Sequence, residues 1–202
     1  MFILTKIADL VQIAPRDFKK KSLVAIEDNI NRKYSNKVIQ NIGLCVCLYD
    51  LLWASEGLIG HGDGYVNVNV EFRLVVFRPF RGEVLLGEVS SCKPEGIFVR
   101  TKFFFDIFVP FDELPDGSVY DMSKQLWCYV YDEADPESKV YYELYEPAKF
   151  RIIDEEWHDQ TPTKPIDRRG NFDKSEEALP PPYRIKASMR EGGLGMCEWF
   201  DQ

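Results

Sequence analysis

Residues 82–110 read Gly82-Glu83-Val84-Leu85-Leu86-Gly87-Glu88-Val89-Ser90-Ser91-Cys92-Lys93-Pro94-Glu95-Gly96-Ile97-Phe98-Val99-Arg100-Thr101-Lys102-Phe103-Phe104-Phe105-Asp106-Ile107-Phe108-Val109-Pro110. Three runs rich in apolar and β-branched residues, Glu83–Cys92, Ile97–Thr101 and Phe104–Val109, predict three short strands. Lys93-Pro94-Glu95-Gly96 ends the first run. Gly82 and Gly87 permit the tight curvature that a small closed barrel requires, and Gly96 turns the first hairpin. Strand alternation sends Ile97 and Val99 inward, so Phe98, Arg100 and Lys102 point outward together.

Downstream, the chain stays strand-like. Trp127–Tyr131 and Val140–Tyr145 flank Asp132-Glu133-Ala134-Asp135-Pro136, which reads as a hairpin turn, and Lys149–Trp157 alternates again. Asp159–Pro182 is polar and Pro-rich and predicts a mobile loop. Tyr183–Met189 returns to strand, Gly192-Gly193 punctuates it, and Leu194–Phe200 is expected to close the chain as a terminal strand.

Upstream, residues 2–13 predict a strand, and Pro15 stands where a first helical residue belongs. Phe18, Leu23, Ile26, Ile30 and Tyr34 recur at helical spacing, which predicts an amphipathic helix over Asp17–Tyr34. Leu44–Trp53 is apolar on both faces and is expected to be a central strand. His61-Gly62-Asp63-Gly64 is a turn. Val66, Val68, Val70, Phe72 and Leu74 then alternate with Asn67, Asn69, Glu71 and Arg73, a half-buried strand. The expected fold class is α+β, mostly β: a small α+β sandwich over residues 1–79, then a barrel domain over 80–202, hinged at Arg78–Gly82.

Apolar residues make up 45% of the chain and charged residues 29%, enough for real cores under a solvated surface. No run approaches the ~20 apolar residues of a membrane helix, and the start lacks the pattern of a secretory signal. Residues 1–78 carry ten Lys/Arg against eight Asp/Glu; residues 79–202 carry fifteen against twenty-five, so the second half is strongly acidic. Nucleic acid binding there requires a local basic patch. The five cysteines are read as buried free thiols, with Cys45 and Cys47 sharing one strand face. His61 and His158 have no Cys or His neighbours at metal-ligand spacing, so no zinc site, other metal or cofactor is expected.

Catalytic readings fare poorly. The carboxylates Asp112, Glu113 and Asp116, and likewise Asp132, Glu133, Asp135 and Glu137, read as solvated turns before they read as metal sites. No phosphate loop, nucleophile elbow or His-containing triad appears. Phe103-Phe104-Phe105 is open between a base-stacking platform and barrel filling. Lys19-Lys20-Lys21 reads as the wet face of a helix before a phosphate contact.

The segment Gly82–Val89, with Glu95–Val99, Asp106–Pro110 and Asp112-Glu113-Leu114, resembles the S1 variety of the OB barrel. Together with Met1-Phe2-Ile3-Leu4, Gly43-Leu44-Cys45-Val46-Cys47, the join Arg73–Val84 and the ending Gly195–Phe200, it makes the chain similar to the family of larger stalk subunits of archaeal and nuclear RNA polymerases. Within that family the RNA polymerase III branch resembles it most. The resemblance implies a nuclear, non-catalytic subunit that supports initiation, projects beside the RNA exit channel and holds emerging transcript. Its implied partners are a smaller helical stalk subunit contacting both domains, the polymerase core, single-stranded RNA bound weakly, and candidate initiation factors. A free S1-type RNA-binding protein and an assembly-only subunit are the rival readings.

The resemblance also places expected sites. Core docking falls on Pro15 and the loop Ser55–Gly64, with Gly57, Gly60, Gly62 and Gly64. RNA contact falls on the outer barrel side, at Phe98, Arg100 and Lys102, extended by Lys93 and Arg81. Glu95 and Pro110 stand where strong RNA binders of the S1 type often carry an aromatic and a histidine, which predicts weak binding.

Overall fold

The computed structural model describes residues 1–62, 64–131, 138–160 and 180–200. They form two compact units, Met1–Pro79 and Phe80–Gln202.

In the first unit β1 (Phe2–Ile13), α1 (Ser22–Tyr34), β2 (Lys37–Ile39), β3 (Gly43–Ala54), β4 (Leu58–Ile59) and β5 (Val66–Phe77) build one sheet backed by a helix. The strand order is β1-β5-β3-β2, with β4 also on β5. β5 holds the centre because its alternation is uninterrupted: Val68, Val70, Phe72, Leu74 and Val76 are buried. Ala25, Ile26 and Ile30 of the helix close over that face. Tyr34 packs on Phe72 with ring centroids 5.6 Å apart and donates its hydroxyl to Asp9 at 2.8 Å. Burial pushes the Asp9 carboxyl up, but hydrogen bonds from Lys33 and Tyr34 outweigh it and hold it below its ordinary range.

Two expectations for this unit are corrected. The helix begins at Ser22, not Asp17, because Pro15–Asp17 winds into a 3-10 turn. Phe18 and Leu23 are consequently exposed, and the buried stripe narrows to Ile26, Ile30 and the partly buried Tyr34. β3 lies inside the sheet between β5 and β2, as expected, but β2 reaches only Gly43–Cys45 while β5 pairs along its length. Cys45 and Cys47 do not share a face, since the register slips between them, and again between Leu48 and Asp50 and between Leu51 and Trp53. Core contact therefore falls on every third residue, Cys45, Leu48 and Leu51, while Cys47, Val46, Tyr49, Leu52 and Trp53 are exposed.

The second unit contains β6 (Val84–Lys93), β7 (Gly96–Arg100), β8 (Ile107–Pro110), β9 (Ser118–Asp121), β10 (Leu126–Val130), β11 (Lys139–Tyr141), β12 (Pro147–Trp157), β13 (Tyr183–Ser188) and β14 (Gly195–Met196). Strands run β13-β8-β7-β6-β12, and pairing of β12 with β13 closes a five-stranded barrel. Val89, Ile97, Val99, Ile107, Val109, Phe150, Ile152 and Ile185 fill it. Gly96 is obligatory: its φ is +151°, and a Cβ there would lie 2.2 Å from the Val109 carbonyl oxygen.

Strands β9, β10 and β11 form a separate three-stranded sheet. Trp127 of that sheet donates its indole N–H to the Lys93 carbonyl at 2.8 Å and so fixes the β6–β7 turn. The third barrel strand starts at Ile107, later than Phe104, because Thr101 and Phe104 close a local turn. The expected terminal strand is only Gly195–Met196, followed by a 3-10 turn over Cys197–Phe200. Trp199 is held there by Tyr142 at 4.7 Å and Tyr129 at 6.0 Å, and Phe200 is exposed. The loop expected over Asp159–Pro182 lies mostly outside the described residues, as do Asp63, Asp132, Glu133, Asp135 and Glu137.

Candidate nucleic-acid interface

The outer side of the barrel is built by alternation. Ile97 and Val99 point into the core, so Phe98 and Arg100 face out, and Phe108 lies between the buried Ile107 and Val109. Phe98 and Phe108 are cross-strand partners. Their centroids are 4.8 Å apart with planes tilted by 38°. The Lys93 ammonium stands 5.1 Å from the Phe98 ring, and the Arg184 guanidinium 5.9 Å from Phe108. Two tilted, adjoining rings between two cations offer a π surface for a base and positive charge for its phosphates.

Electrostatics around this pair are partly cancelled. Arg100 is bound by Glu88 at 3.0 and 3.2 Å, directly across on β6, and its guanidinium also lies 5.2 Å from the Tyr145 ring. Arg81 is ion-paired with Asp154 on β12, beyond the opposite end of β6 from Lys93, so the structure does not bring it to Phe98. Lys186 is held by Glu156 at 2.7 Å. Burial raises the Asp106 carboxyl, against the opposing pull of Arg184. Lys102 lies past the end of β7, where alternation no longer sets its direction, and is exposed.

Of the expected residues, Phe98 and Lys93 meet in one cluster, Arg100 is paired with Glu88 and Tyr145, Arg81 with Asp154, and Lys102 is exposed beyond the strand. Sequence reading missed Phe108 and Arg184, although Asp106-Ile107-Phe108-Val109 and Tyr183-Arg184-Ile185 carry the same alternation that marks Phe98. In the Phe103-Phe104-Phe105 run, Phe104 is buried against Tyr183 at 5.4 Å and Phe105 is exposed. Asp116 pairs with Arg190 at 3.3 Å. Among the described residues no cluster of His, Cys, Asp or Glu is arranged to hold a metal ion.

Within the first unit the structure brings Pro15 to Gly64: a Cβ on Gly64 would sit 3.7 Å from the proline ring. Gly57 is required by packing, since a Cβ would meet Val66 at 2.5 Å. Gly62 adopts φ +95° in open space. Between these glycines Leu58 and Ile59 are 70% and 73% exposed, an apolar tip that the glycine pattern alone does not reveal.

A helix-backed sheet followed by a five-stranded barrel is the fold that the resemblance to the larger RNA polymerase stalk subunits implies. The family model for RNA polymerase III subunit Rpc25 matches residues 83–200, and that for the SHS2 domain found in the N terminus of Rpb7p and Rpc25p matches residues 8–64. The chain is 40% identical to DNA-directed RNA polymerase III subunit rpc8 of Schizosaccharomyces pombe, over 99% of this chain and 100% of that one. It is 36% identical to the Bos taurus subunit RPC8, over 99% and 98%, and 38% identical to that of Saccharomyces cerevisiae, over 100% of each. The chain belongs to the family of RNA polymerase III subunit Rpc25.

Proposed function

We propose that this stalk subunit works in the nucleus as a non-catalytic part of RNA polymerase III, pairs with a smaller helical stalk subunit and touches emerging single-stranded RNA weakly. The Phe98–Phe108 pair between Lys93 and Arg184 carries the RNA reading. Binding is weak because Glu88 and Asp154 already occupy Arg100 and Arg81. With few free cations the affinity falls on the order of micromolar or weaker, with about two to four phosphate contacts. Fluorescence anisotropy of short single-stranded RNA on the heterodimer, across a salt series, tests this. Several-fold loss in Phe98→Ala is expected; unchanged binding in both Phe98→Ala and Phe108→Ala supports the assembly-only reading instead.

The first unit supplies the assembly surfaces. Val46, Tyr49, Leu52 and Trp53 expose apolar side chains along β3, which suits the smaller stalk partner. The tip with Pro15, Leu58, Ile59, Gly60, Gly62 and Gly64 suits a groove in the polymerase core. Affinity purification of the tagged chain followed by mass spectrometry tests assembly; recovery without other polymerase III subunits counts against it. The reading as a free RNA-binding protein has no support in the relatives, which are named as polymerase subunits.

A further inference from the structure

Beside the three-stranded β9–β11 sheet lies a groove of about 810 Å³, well away from Phe98 in sequence and built on different strands. Five rings line it: Tyr129, Tyr131, Tyr141, Trp199 and Phe200. Trp199 is a fixed wall, stacked on Tyr129 with planes 27° apart and set edge-on to Tyr142. A Cβ on Gly195 would lie 3.0 Å from the Trp199 ring, so the indole sits directly on the backbone. Tyr131 is 66% exposed, and Phe200 is also largely open to water.

Charge decides what such a groove takes. Among its lining groups Arg190 is bound by Asp116 and Glu191 by Arg151, so these cancel. Lys139, Glu143 and Glu198 have no ion-pair partner among the described residues, leaving two carboxylates against one ammonium. Residues 79–202 carry twenty-five acidic against fifteen basic side chains, so the surrounding field has the same sign. Aromatic rings alone suit a nucleic acid base as well as an apolar peptide. Unpaired carboxylates in an acidic domain repel a phosphate chain and attract a cationic side chain.

We propose that this groove binds an extended, proline-rich segment of a partner protein, with a Lys or Arg of that segment meeting Glu143 and Glu198. The rings receive the proline faces of a polyproline II helix, which enters pre-ordered and so loses little entropy on docking. The basic side chain fixes the direction of the segment, and it stacks on exposed Tyr131.

The test is anisotropy of the full chain with a fluorescein-labelled Pro-x-x-Pro peptide of roughly ten residues ending in arginine. Saturable binding is expected, with at least about fivefold loss when the arginine is replaced by glutamate and in Tyr131→Ala. Glu143→Lys, an exposed change, should weaken binding by a similar factor. Phe98→Ala should leave peptide binding unchanged, which separates this groove from the RNA face. No saturable binding, or binding indifferent to Tyr131→Ala and Glu143→Lys, overturns the proposal. So does oligouridine that displaces the peptide and itself loses affinity in Tyr131→Ala, which would assign the groove to nucleic acid.

Discussion

Glu88 and Arg100 face each other across β6 and β7, joined by two hydrogen bonds of 3.0 and 3.2 Å onto one carboxylate oxygen. The barrel thus neutralises the arginine that its outer strand presents. Glu88→Gln should free Arg100 and raise RNA affinity by about two- to fivefold, with roughly one more phosphate in the salt slope. Anisotropy on the heterodimer reads both; an unchanged slope would mean that Arg100 does not reach phosphate.

Phe108 should matter as much as Phe98, since each ring supports the other. Phe108→Ala is expected to lower RNA affinity roughly fivefold or more, by loss of about 1 kcal/mol or more of stacking. The same change leaves the buried Ile107 and Val109 in place, so the thermal midpoint should move little. A large fall in midpoint would show that the ring is needed for folding.

Gly96→Ala should destabilise the barrel by about 2–4 kcal/mol, because it combines a positive φ with a clash against backbone. Urea unfolding measures it. Gly62→Ala meets no neighbour and should lose less, through φ alone.

At the tip, Leu58→Asp with Ile59→Asp should abolish co-purification with the polymerase core while altering stability by no more than about 0.5 kcal/mol per site. These residues are better probes than Gly57, whose replacement drives into Val66 and disturbs the sheet. Retained core binding would place docking elsewhere.

Acid should weaken the first unit through Asp9. Its folded carboxyl lies below the ordinary value of 3.8, so its contribution is present above that value and is lost as pH falls through the folded one. Asp9→Asn should therefore narrow the stability difference between about pH 7 and about pH 3. An unchanged difference would mean that Lys33 and Tyr34 do not hold the carboxylate in solution.

The parts of the fold that could be read from the sequence are those where one period runs unbroken. β5 and β7 alternate cleanly, and the inward places of Val68, Phe72, Ile97 and Val99 follow. β3 defeats that reading because its register slips recur every third residue, so the run reads as apolar on both sides. β9, with Ser118 and Asp121 at its ends, has too little apolar pattern to announce a strand. At the site, Phe98 and Lys93 were visible as neighbours of one hairpin. The pairing of Arg81 with Asp154 joins residues far apart in the chain, and no local pattern records it.

The register slips of β3 also bear on how this molecule stays apart from copies of itself. A long apolar strand with an unpaired side is a template for edge-to-edge polymerisation. Here each slip twists the backbone, and Asn31 of the helix accepts the Leu48 N–H at 2.8 Å, taking one of the donors that another strand would need. What remains is a row of exposed side chains, Tyr49, Leu52 and Trp53, along a strand whose Leu48 N–H is already taken. Such a surface rewards a partner with complementary side-chain shape and gives little to an unrelated strand.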